Sequence, residues 1–226
     1  RRSSDLSIGS GVCFTDLVKH PLIQRRYPLL VTACKTVGSL QLRNRATIGG
    51  NIVNAAPCAD SMPPLIIYDA EVELRSARGT RRMPVSEFVV GGYRTLLEPD
   101  ELVVRFILPA PTQPPLINRY LQLGRRNALN ITRQSLTGQF MVDKGVVRLC
   151  RLVDGALMAK PQRLTEVEQA LTGKALDAAA IDYAAGVLHD KVEKAIGGRW
   201  SAPYKVPVFI DMFRQMLQEV MTEQKK

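Results

Sequence analysis

The residues whose types and spacing could bind a charged ligand lie between positions 47 and 60 of the 226-residue chain. The sequence Thr-Ile-Gly-Gly-Asn, from Thr47 to Asn51, places two adjacent glycines beside small polar residues. Because glycine has no Cβ atom, backbone N–H groups can approach an anion closely, and a following helix N-terminus adds partial positive charge. Such a loop suits a pyrophosphate group. Most Gly-Gly pairs are only turns, so the spacing by itself leaves both interpretations open.

A single carboxylate, Asp60, follows this loop closely in the sequence. It could accept hydrogen bonds from a ligand hydroxyl, as acidic residues do for the ribose of a nucleotide. It could equally cap the turn before the sequence Ser-Met-Pro-Pro that begins at Ser61. The residue alone does not separate these two roles.

Histidine and cysteine are too sparse to predict a metal site or a nucleophilic enzyme. The chain holds two histidines, His20 and His189, and neither lies in a recognisable nucleophile motif. The four cysteines contain no C-x-x-C pair; they are Cys13, Cys34, Cys58 and Cys150. That spacing favours a reducing, cytoplasmic compartment over a disulfide framework, and no metal ligands are expected.

The charge balance is basic, with 31 Lys plus Arg against 21 Asp plus Glu and a formal net charge of +10. This charge favours acidic partners such as an anionic ligand or an acidic subunit. The basic residues are dispersed and only 6% of residues are aromatic, so a platform for stacking nucleic acid bases is not expected. The sequence also contains no apolar stretch of the roughly 20 residues that a membrane helix needs.

The elements that must position the 47–60 segment are short. Apolar residues alternate with polar ones at 70–74 and 101–108, which predicts strands. Residues 27–37 have the apolar spacing of a helix that Gly38 would end. Four prolines within residues 109–115 can join neither a helix nor a central strand, so we predict a domain junction there.

The second half is predicted to begin with a small antiparallel sheet. Residues 118–123 and 131–142 look extended, which predicts two strands. The sequence Asp-Lys-Gly at 143–145 is typical of a hairpin turn into a further strand at 146–153. Three antiparallel strands follow from that order.

Helices are predicted to complete the chain. Thr165 with Glu168 resembles a capping box that opens a helix ending at Gly173. Residues 178–196 have helical apolar spacing, and residues 208–221 carry the strongest apolar stripe of the chain. We interpret that stripe as the inward face of a small helical bundle, with a partner-binding surface as the alternative.

The sequence resembles a known family over nearly its whole length. The motifs are Leu-Arg-Asn-Arg-Ala-Thr-Ile-Gly-Gly-Asn-Ile from Leu42, Asn-Ala-Ala-Pro-Cys-Ala-Asp from Asn54 and Asp-Ala-Glu-Val-Glu-Leu from Asp69. The likeness continues to Ser-Ala-Pro-Tyr-Lys from Ser201. Together these motifs resemble the FAD-binding medium subunits of molybdenum hydroxylases, which include bacterial xanthine dehydrogenases and carbon monoxide dehydrogenases.

The resemblance implies an α+β fold. Residues 1–110 would be the second half of a FAD-binding domain, an α/β subdomain of the vanillyl-alcohol-oxidase type. Residues 116–226 would form a C-terminal domain with a three-stranded antiparallel sheet and a helical bundle, joined through 109–115. Relatives carry a further glycine-rich loop before the counterpart of residues 6–11, so we expect roughly the first third of a typical flavin domain to be absent.

The resemblance also implies a set of cofactor-binding residues. The backbone of residues 47–51 would wrap the FAD pyrophosphate, and Asp60 would hydrogen-bond the cofactor. Val37 and Val103 would contact the flavin region, while Gln122 stands where relatives carry a flavin-contacting lysine. The loop at 47–51 consists of Thr47, Ile48, Gly49, Gly50 and Asn51.

The function that the resemblance implies is electron transfer. FAD would take electrons from 2Fe-2S clusters on a small subunit and pass them to NAD or another acceptor, while a molybdenum cofactor on a large subunit acts on the substrate. We expect a heterotrimer or a dimer of heterotrimers. The alternative is a scaffold subunit of the same kind of complex that binds no flavin, and nucleic acid binding is a distant third interpretation.

Overall fold

The computed structural model describes residues 4–111, 116–126 and 129–224. Residues 112–115 of the predicted junction lie outside the described residues. The first half mixes short helices and strands, which in chain order are β1 (Leu6–Gly9), α1 (Phe14–Lys19), α2 (Pro21–Arg26), α3 (Pro28–Thr36), α4 (Leu40–Arg43), α5 (Ile48–Asn54), α6 (Met62–Ile67), β2 (Glu71–Ser76), β3 (Gly79–Pro84), α7 (Val85–Phe88), β4 (Val89–Gly91), β5 (Arg94–Thr95) and β6 (Leu102–Leu108).

Four strands of this half form one antiparallel sheet in the order β1-β6-β2-β3. Val72, Leu74 and Phe106 point into the first apolar core and are fully buried, as the alternation predicted. The strands predicted at 70–74 and 101–108 are therefore confirmed as β2 and β6. The strand β1 was not predicted, because four residues carry too little periodicity.

The polar residue between the two buried apolar positions of β2 is also buried. Glu73 is 3% exposed, and its carboxylate accepts hydrogen bonds from Arg82 at 2.8 Å and Arg105 at 2.6 Å. These arginines stand on the two strands that flank β2. An ion pair thus covers the face that simple alternation assigns to solvent.

The second half contains the elements β7 (Ile117–Leu123), β8 (Gln134–Asp143), β9 (Val146–Gly155), α8 (Thr165–Leu171), α9 (Ala178–Ile196) and α10 (Ala202–Glu223). The strands form an antiparallel sheet in the order β7-β8-β9, which confirms the predicted three-stranded sheet. Lys144 and Gly145 both have positive φ, 49° and 77°, so the hairpin has the predicted tight turn.

The capping box predicted at the start of α8 is wrong. The residue before the helix is Leu164, and no side chain caps the first turn. Glu168 is 6% exposed and instead accepts hydrogen bonds from the backbone N–H of Leu152 at 2.8 Å and from Arg163 at 2.7 Å. Its carboxylate is used to join the helix to β9, so it does not reach back to the helix N-terminus.

The last helix begins earlier than the apolar stripe indicated. It starts at Ala202 and includes Pro207, although the stripe was predicted from residue 208. Proline lacks an N–H, so Pro207 removes one hydrogen bond near the first turns but does not end the helix. Phe209, Phe213 and Leu217 are fully buried in the second apolar core, which confirms the inward stripe.

The two halves share a packed boundary. Val153 and Tyr120 of the second sheet pack with the first apolar core, and α6 packs against β8 and β9. As a result β8 is buried on both faces over most of its length. Within the described residues, no helix is both long and apolar enough to cross a membrane.

Candidate functional site

The segment 47–51 forms the start of a seven-residue helix, α5. Thr47 is its N-cap, and its Oγ1 accepts a hydrogen bond from the backbone N–H of Gly50 at 3.1 Å. Threonine is favoured there because its hydroxyl satisfies an N–H that has no partner inside the helix. The Gly-Gly pair therefore lies in the first helical turn.

The backbone N–H groups of this turn already have partners within the chain. Ile48 donates to the carbonyl of Val12 at 3.1 Å and Gly49 donates to the carbonyl of Ser10 at 2.9 Å. A Cβ atom on Gly49 would lie 2.7 Å from the Ser10 carbonyl oxygen, so only glycine fits this contact. Two N–H groups that could bind an anion thus donate hydrogen bonds to the loop that follows β1.

Gly50 and Asn51 have different surroundings. Gly50 is exposed, and a Cβ atom there would meet only Thr47 Oγ1, at 3.2 Å. Asn51 is half-buried, and its Oδ1 accepts a hydrogen bond from Ser61 at 2.6 Å. The open face of the loop is therefore at Gly50, and the use of this loop for a pyrophosphate stays a prediction.

Asp60 lies at the boundary between the two halves and is 8% exposed. Three side chains of the second half donate hydrogen bonds to its carboxylate: Thr132 at 2.6 Å, Tyr120 at 3.1 Å and Gln122 at 3.4 Å. Burial raises the pKa of Asp60, and the hydrogen bonds from these three residues oppose that rise. The structure therefore gives Asp60 partners in the fold, whereas a contact with a ligand stays a prediction.

A cavity of about 440 Å³ lies beside this cluster. Its wall includes the end of α3, the turn before α4, strand β7 and the second half of the β7–β8 connection. The lining residues include Lys35, Thr36, Gly38, Gln122 and Asn130. The volume lies within the range of about 300–1,000 Å³ that is typical of small-molecule sites. Gln122 is thus a residue of both the Asp60 cluster and the cavity wall.

The turn between α3 and α4 is built by Arg43 and Gly38. Arg43 lines the cavity and donates hydrogen bonds to the carbonyls of Val37 at 2.9 Å and Gly38 at 3.0 Å. Gly38 has a φ of 46°, a conformation that favours glycine. Val37 is half-buried, and its side chain packs against the first core. Its carbonyl belongs to the turn between α3 and α4.

The predicted site residues do not all meet at one cavity. Gln122 lines the cavity of about 440 Å³, whereas Val37 and Asp60 lie beside it and are not among its lining residues. Residues 47–51 lie on α5, which packs against β6, and Val103 stands on that strand. The second group does not line the 440 Å³ cavity. A further cavity of about 430 Å³, lined in part by Arg26 and Arg151, contains none of the predicted residues.

Tyr120, Thr132 and Arg43 were not predicted as residues of this region. A signal existed for Tyr120, because positions 120 and 122 are two apart on a predicted strand and therefore face the same side. Thr132 lies in the connection between β7 and β8, and Arg43 ends the four-residue helix α4. Neither segment is long enough for periodicity to indicate the direction of a side chain.

Two family models match the chain. Residues 1–111 match the FAD binding domain in molybdopterin dehydrogenase, and residues 120–220 match the CO dehydrogenase flavoprotein C-terminal domain. Together they span both halves of the structure.

The chain is also similar to FAD subunits of known dehydrogenases. The xanthine dehydrogenase FAD-binding subunit of Escherichia coli O157:H7 is 30% identical over 216 residues, which cover 96% of this chain and 74% of the relative. The nicotinate dehydrogenase FAD-subunit of Eubacterium barkeri is 29% identical and covers 96% of this chain and 75% of that relative.

A solved structure of carbon monoxide dehydrogenase from Hydrogenophaga pseudoflava gives a TM-score of 0.86 at 30% identity. The match covers 95% of this chain and 74% of that chain. Sequence and fold thus agree over both halves. The chain belongs to the family of FAD-binding medium subunits of molybdenum hydroxylases, which are components of oxidoreductases.

Proposed function

We propose that this chain is the FAD-carrying electron-transfer subunit of a molybdenum hydroxylase complex. The observation that carries the proposal is the match of residues 1–111 to a FAD binding domain. When bound, FAD supplies the redox chemistry that takes electrons from 2Fe-2S clusters of a small subunit and passes them to NAD or another acceptor.

The residues of two surfaces fit such a cofactor. At the first, Gly50 leaves the helical turn of α5 open on its outer side, where a larger side chain would stand. At the second, Gln122 presents a polar side chain to a cavity of small-molecule size. We propose that the backbone of residues 47–51 holds the pyrophosphate and that Val37, Val103 and Gln122 contact the flavin region, so that the cofactor extends from the cavity at Gln122 to strand β6. Asp60 contributes through its hydrogen bond with Gln122.

The proposed partners are a large subunit with the molybdenum cofactor and a small subunit with the iron–sulfur clusters, in a heterotrimer or a dimer of heterotrimers. The net charge of +10 supports docking to acidic surfaces. Four free cysteines support a reducing, cytoplasmic compartment. We further propose that residues 1–110 and 116–226 are the two domains, because the two apolar cores largely follow that division.

Reconstitution with FAD tests this function. The purified chain is incubated with FAD, freed of excess cofactor and examined for flavin absorbance, with the same protein unfolded by denaturant as the control. We expect retained flavin in the folded sample alone. No retention of flavin by the folded chain would contradict the proposal.

One observation favours a second candidate, a scaffold subunit without flavin. The amides of Ile48 and Gly49 are directed at carbonyls of the chain, so they offer no hydrogen bonds to a phosphate in this conformation. A scaffold would capture the iron–sulfur or molybdenum subunit in a pull-down without any added FAD. Dependence of that capture on FAD would rule the scaffold out.

A further inference from the structure

The side-chain amide of Gln122 donates hydrogen bonds to two acceptors. Asp60 belongs to the first half of the chain, and Thr132 belongs to the second half, as Gln122 does. Its Nε2 donates to Asp60 Oδ2 at 3.4 Å and also to Thr132 Oγ1. The Thr132 hydroxyl in turn donates to Asp60 Oδ1 at 2.6 Å. The three groups form a closed ring of hydrogen bonds.

The chemistry of the ring allows one orientation of the amide. An ionised carboxylate only accepts hydrogen bonds, and the single hydroxyl hydrogen of Thr132 is already used on Asp60. If the Gln122 amide rotated by half a turn, its carbonyl oxygen would face two acceptors. Asp60 and Thr132 are 8% and 4% exposed, so water does not compensate for such a mismatch.

We infer that Asp60 is a positioning residue, which acts through Gln122 and turns the carbonyl oxygen of its amide towards the 440 Å³ cavity. Gln122 lines that cavity, and with Nε2 directed at Asp60 and Thr132 its Oε1 is turned away from the carboxylate. The wall at this point is therefore a hydrogen-bond acceptor. It suits a ligand edge that carries N–H or O–H groups.

The ring also explains how the buried carboxylate of Asp60 is stabilised without a positively charged partner. Within the described residues no ion pair involves Asp60, yet both of its oxygens accept hydrogen bonds. Tyr120, Gln122 and Thr132 belong to the second half of the chain, whereas Asp60 belongs to the first. The orientation of Gln122 thus depends on how the two halves pack. Only the identity of the ligand rests on the proposed function.

Asp60→Asn is the sharpest test because it keeps the size of the side chain and adds a donor. The amide nitrogen introduced at position 60 would face Gln122 Nε2, so the Gln122 amide is expected to rotate and expose its hydrogens to the cavity. The measurement is hydrogen exchange of the Gln122 side-chain amide by NMR in the full chain without FAD, with Gln122→Ala to assign the signals.

We expect the Gln122 amide hydrogens to exchange about tenfold faster in Asp60→Asn, the factor that corresponds to about 1.4 kcal/mol. The Gln139 amide, which donates to Asn118 at 3.1 Å on the same sheet, is the internal reference and should not change. Asp69→Asn is the matched control. It removes another carboxylate that pairs across the boundary, with Arg151 at 2.5 Å, and should leave Gln122 protected.

Thr132→Val provides a second variant in case Asp60→Asn does not fold. It removes the other acceptor without changing the size of the side chain, and we expect it to release Gln122 as well. Equal exchange of Gln122 in the native chain and in these variants would overturn the inference.

A separate titration with FAD distinguishes this result from the proposed function. If FAD binds, its affinity should change in Asp60→Asn and Gln122→Ala, and the two changes should not add in the double variant. Additive changes would mean that Asp60 acts directly on the ligand and would overturn the inference. Protection of Gln122 without any FAD binding would support the inference and contradict the proposed function.

Discussion

Gly49 and Gly50 are adjacent in the chain, but their side-chain positions meet different surroundings. A Cβ atom on Gly49 would collide with Ser10, so this glycine is needed for the fold itself. Gly50 is exposed and meets only the hydroxyl of Thr47, so nothing in the fold demands a glycine as strongly there. A ligand that approaches the backbone at this surface would explain why position 50 is a glycine.

Gly50→Val tests that reason. We expect loss of FAD retention, because the branched side chain stands where the cofactor must approach, while stability falls by no more than about 1 kcal/mol through the disturbed N-cap. Flavin absorbance and thermal unfolding measure the two effects. Gly186→Val is the matched control, since Gly186 is also an exposed helical glycine with nothing near its Cβ position. Unchanged flavin content would contradict the prediction.

Gln134 is a polar residue with no hydrogen-bond partner in a fully buried position. Neither its Nε2 nor its Oε1 has a partner, and the residue is 0% exposed. We expect Gln134→Met to raise the free energy of unfolding by about 1–3 kcal/mol, because an unsatisfied buried amide is replaced by an apolar group of similar length. Denaturant unfolding measures the gain.

The contrast for Gln134→Met is Gln139→Met on the same strand. Gln139 is 6% exposed and its amide donates to Asn118, so this change removes a hydrogen bond that the native structure makes. It should lower stability. Equal losses of stability in both variants would contradict the prediction, because they would mean that the amide of Gln134 makes a hydrogen bond.

At the scale of elements, the longest helices derive their stability from the stripe that they bury. Helix α10 packs against α9 and β8, and the Cβ position of Gly138 on β8 lies 2.7 Å from Met216 Sδ. A larger residue at position 138 would have to displace Met216 and the ring of Phe140. The periodic residues of α10 are therefore structural, and the partner-binding alternative for the stripe does not apply to them.

Phe213→Ala measures the contribution of that stripe. Phe213 is fully buried, so we expect a loss of about 3–5 kcal/mol in the free energy of unfolding. Tyr204→Ala on the same helix is the control, because Tyr204 is 49% exposed and should change stability little. An unaltered melting temperature in Phe213→Ala would show that the stripe does not pack in solution as it does here.

At the scale of the whole molecule, a buried carboxylate makes stability depend on pH. Asp154 is fully buried, and burial raises its pKa to about 7, although hydrogen bonds from the backbone of Gln162 and Met158 oppose the rise. In the unfolded chain an aspartate has a pKa of about 3.9. The folded state therefore binds one more proton than the unfolded state between these two values.

It follows that stability is greatest below about pH 4 as far as this group is concerned, and that it falls as the pH rises to about 7. The slope is about 1.4 kcal/mol for each pH unit, or about 4 kcal/mol in total. Asp154→Asn should flatten this dependence, as measured by denaturant unfolding from pH 4 to 8. Asp143→Asn, an exposed carboxylate at the end of β8, is the control and should retain it.

The longer elements of the fold could be predicted from local patterns. Residues 178–196 were predicted as a helix from their apolar spacing, and α9 has these bounds. The strands β7, β8 and β9 were likewise predicted from segments that look extended, and their hairpin turn was predicted from the sequence Asp-Lys-Gly at 143–145. Such patterns depend on neighbours a few residues apart, which the chain alone contains.

What the sequence by itself determined is therefore the order and type of the main elements and, through its motifs, the family. Only the tertiary structure decided what Asp60 and Glu168 contact. Asp60 meets Tyr120 and Thr132 across the domain boundary, and Glu168 meets β9 although its spacing favoured a helix cap. A buried carboxylate takes the donors that packing brings to it, and no periodicity encodes which distant donors those are.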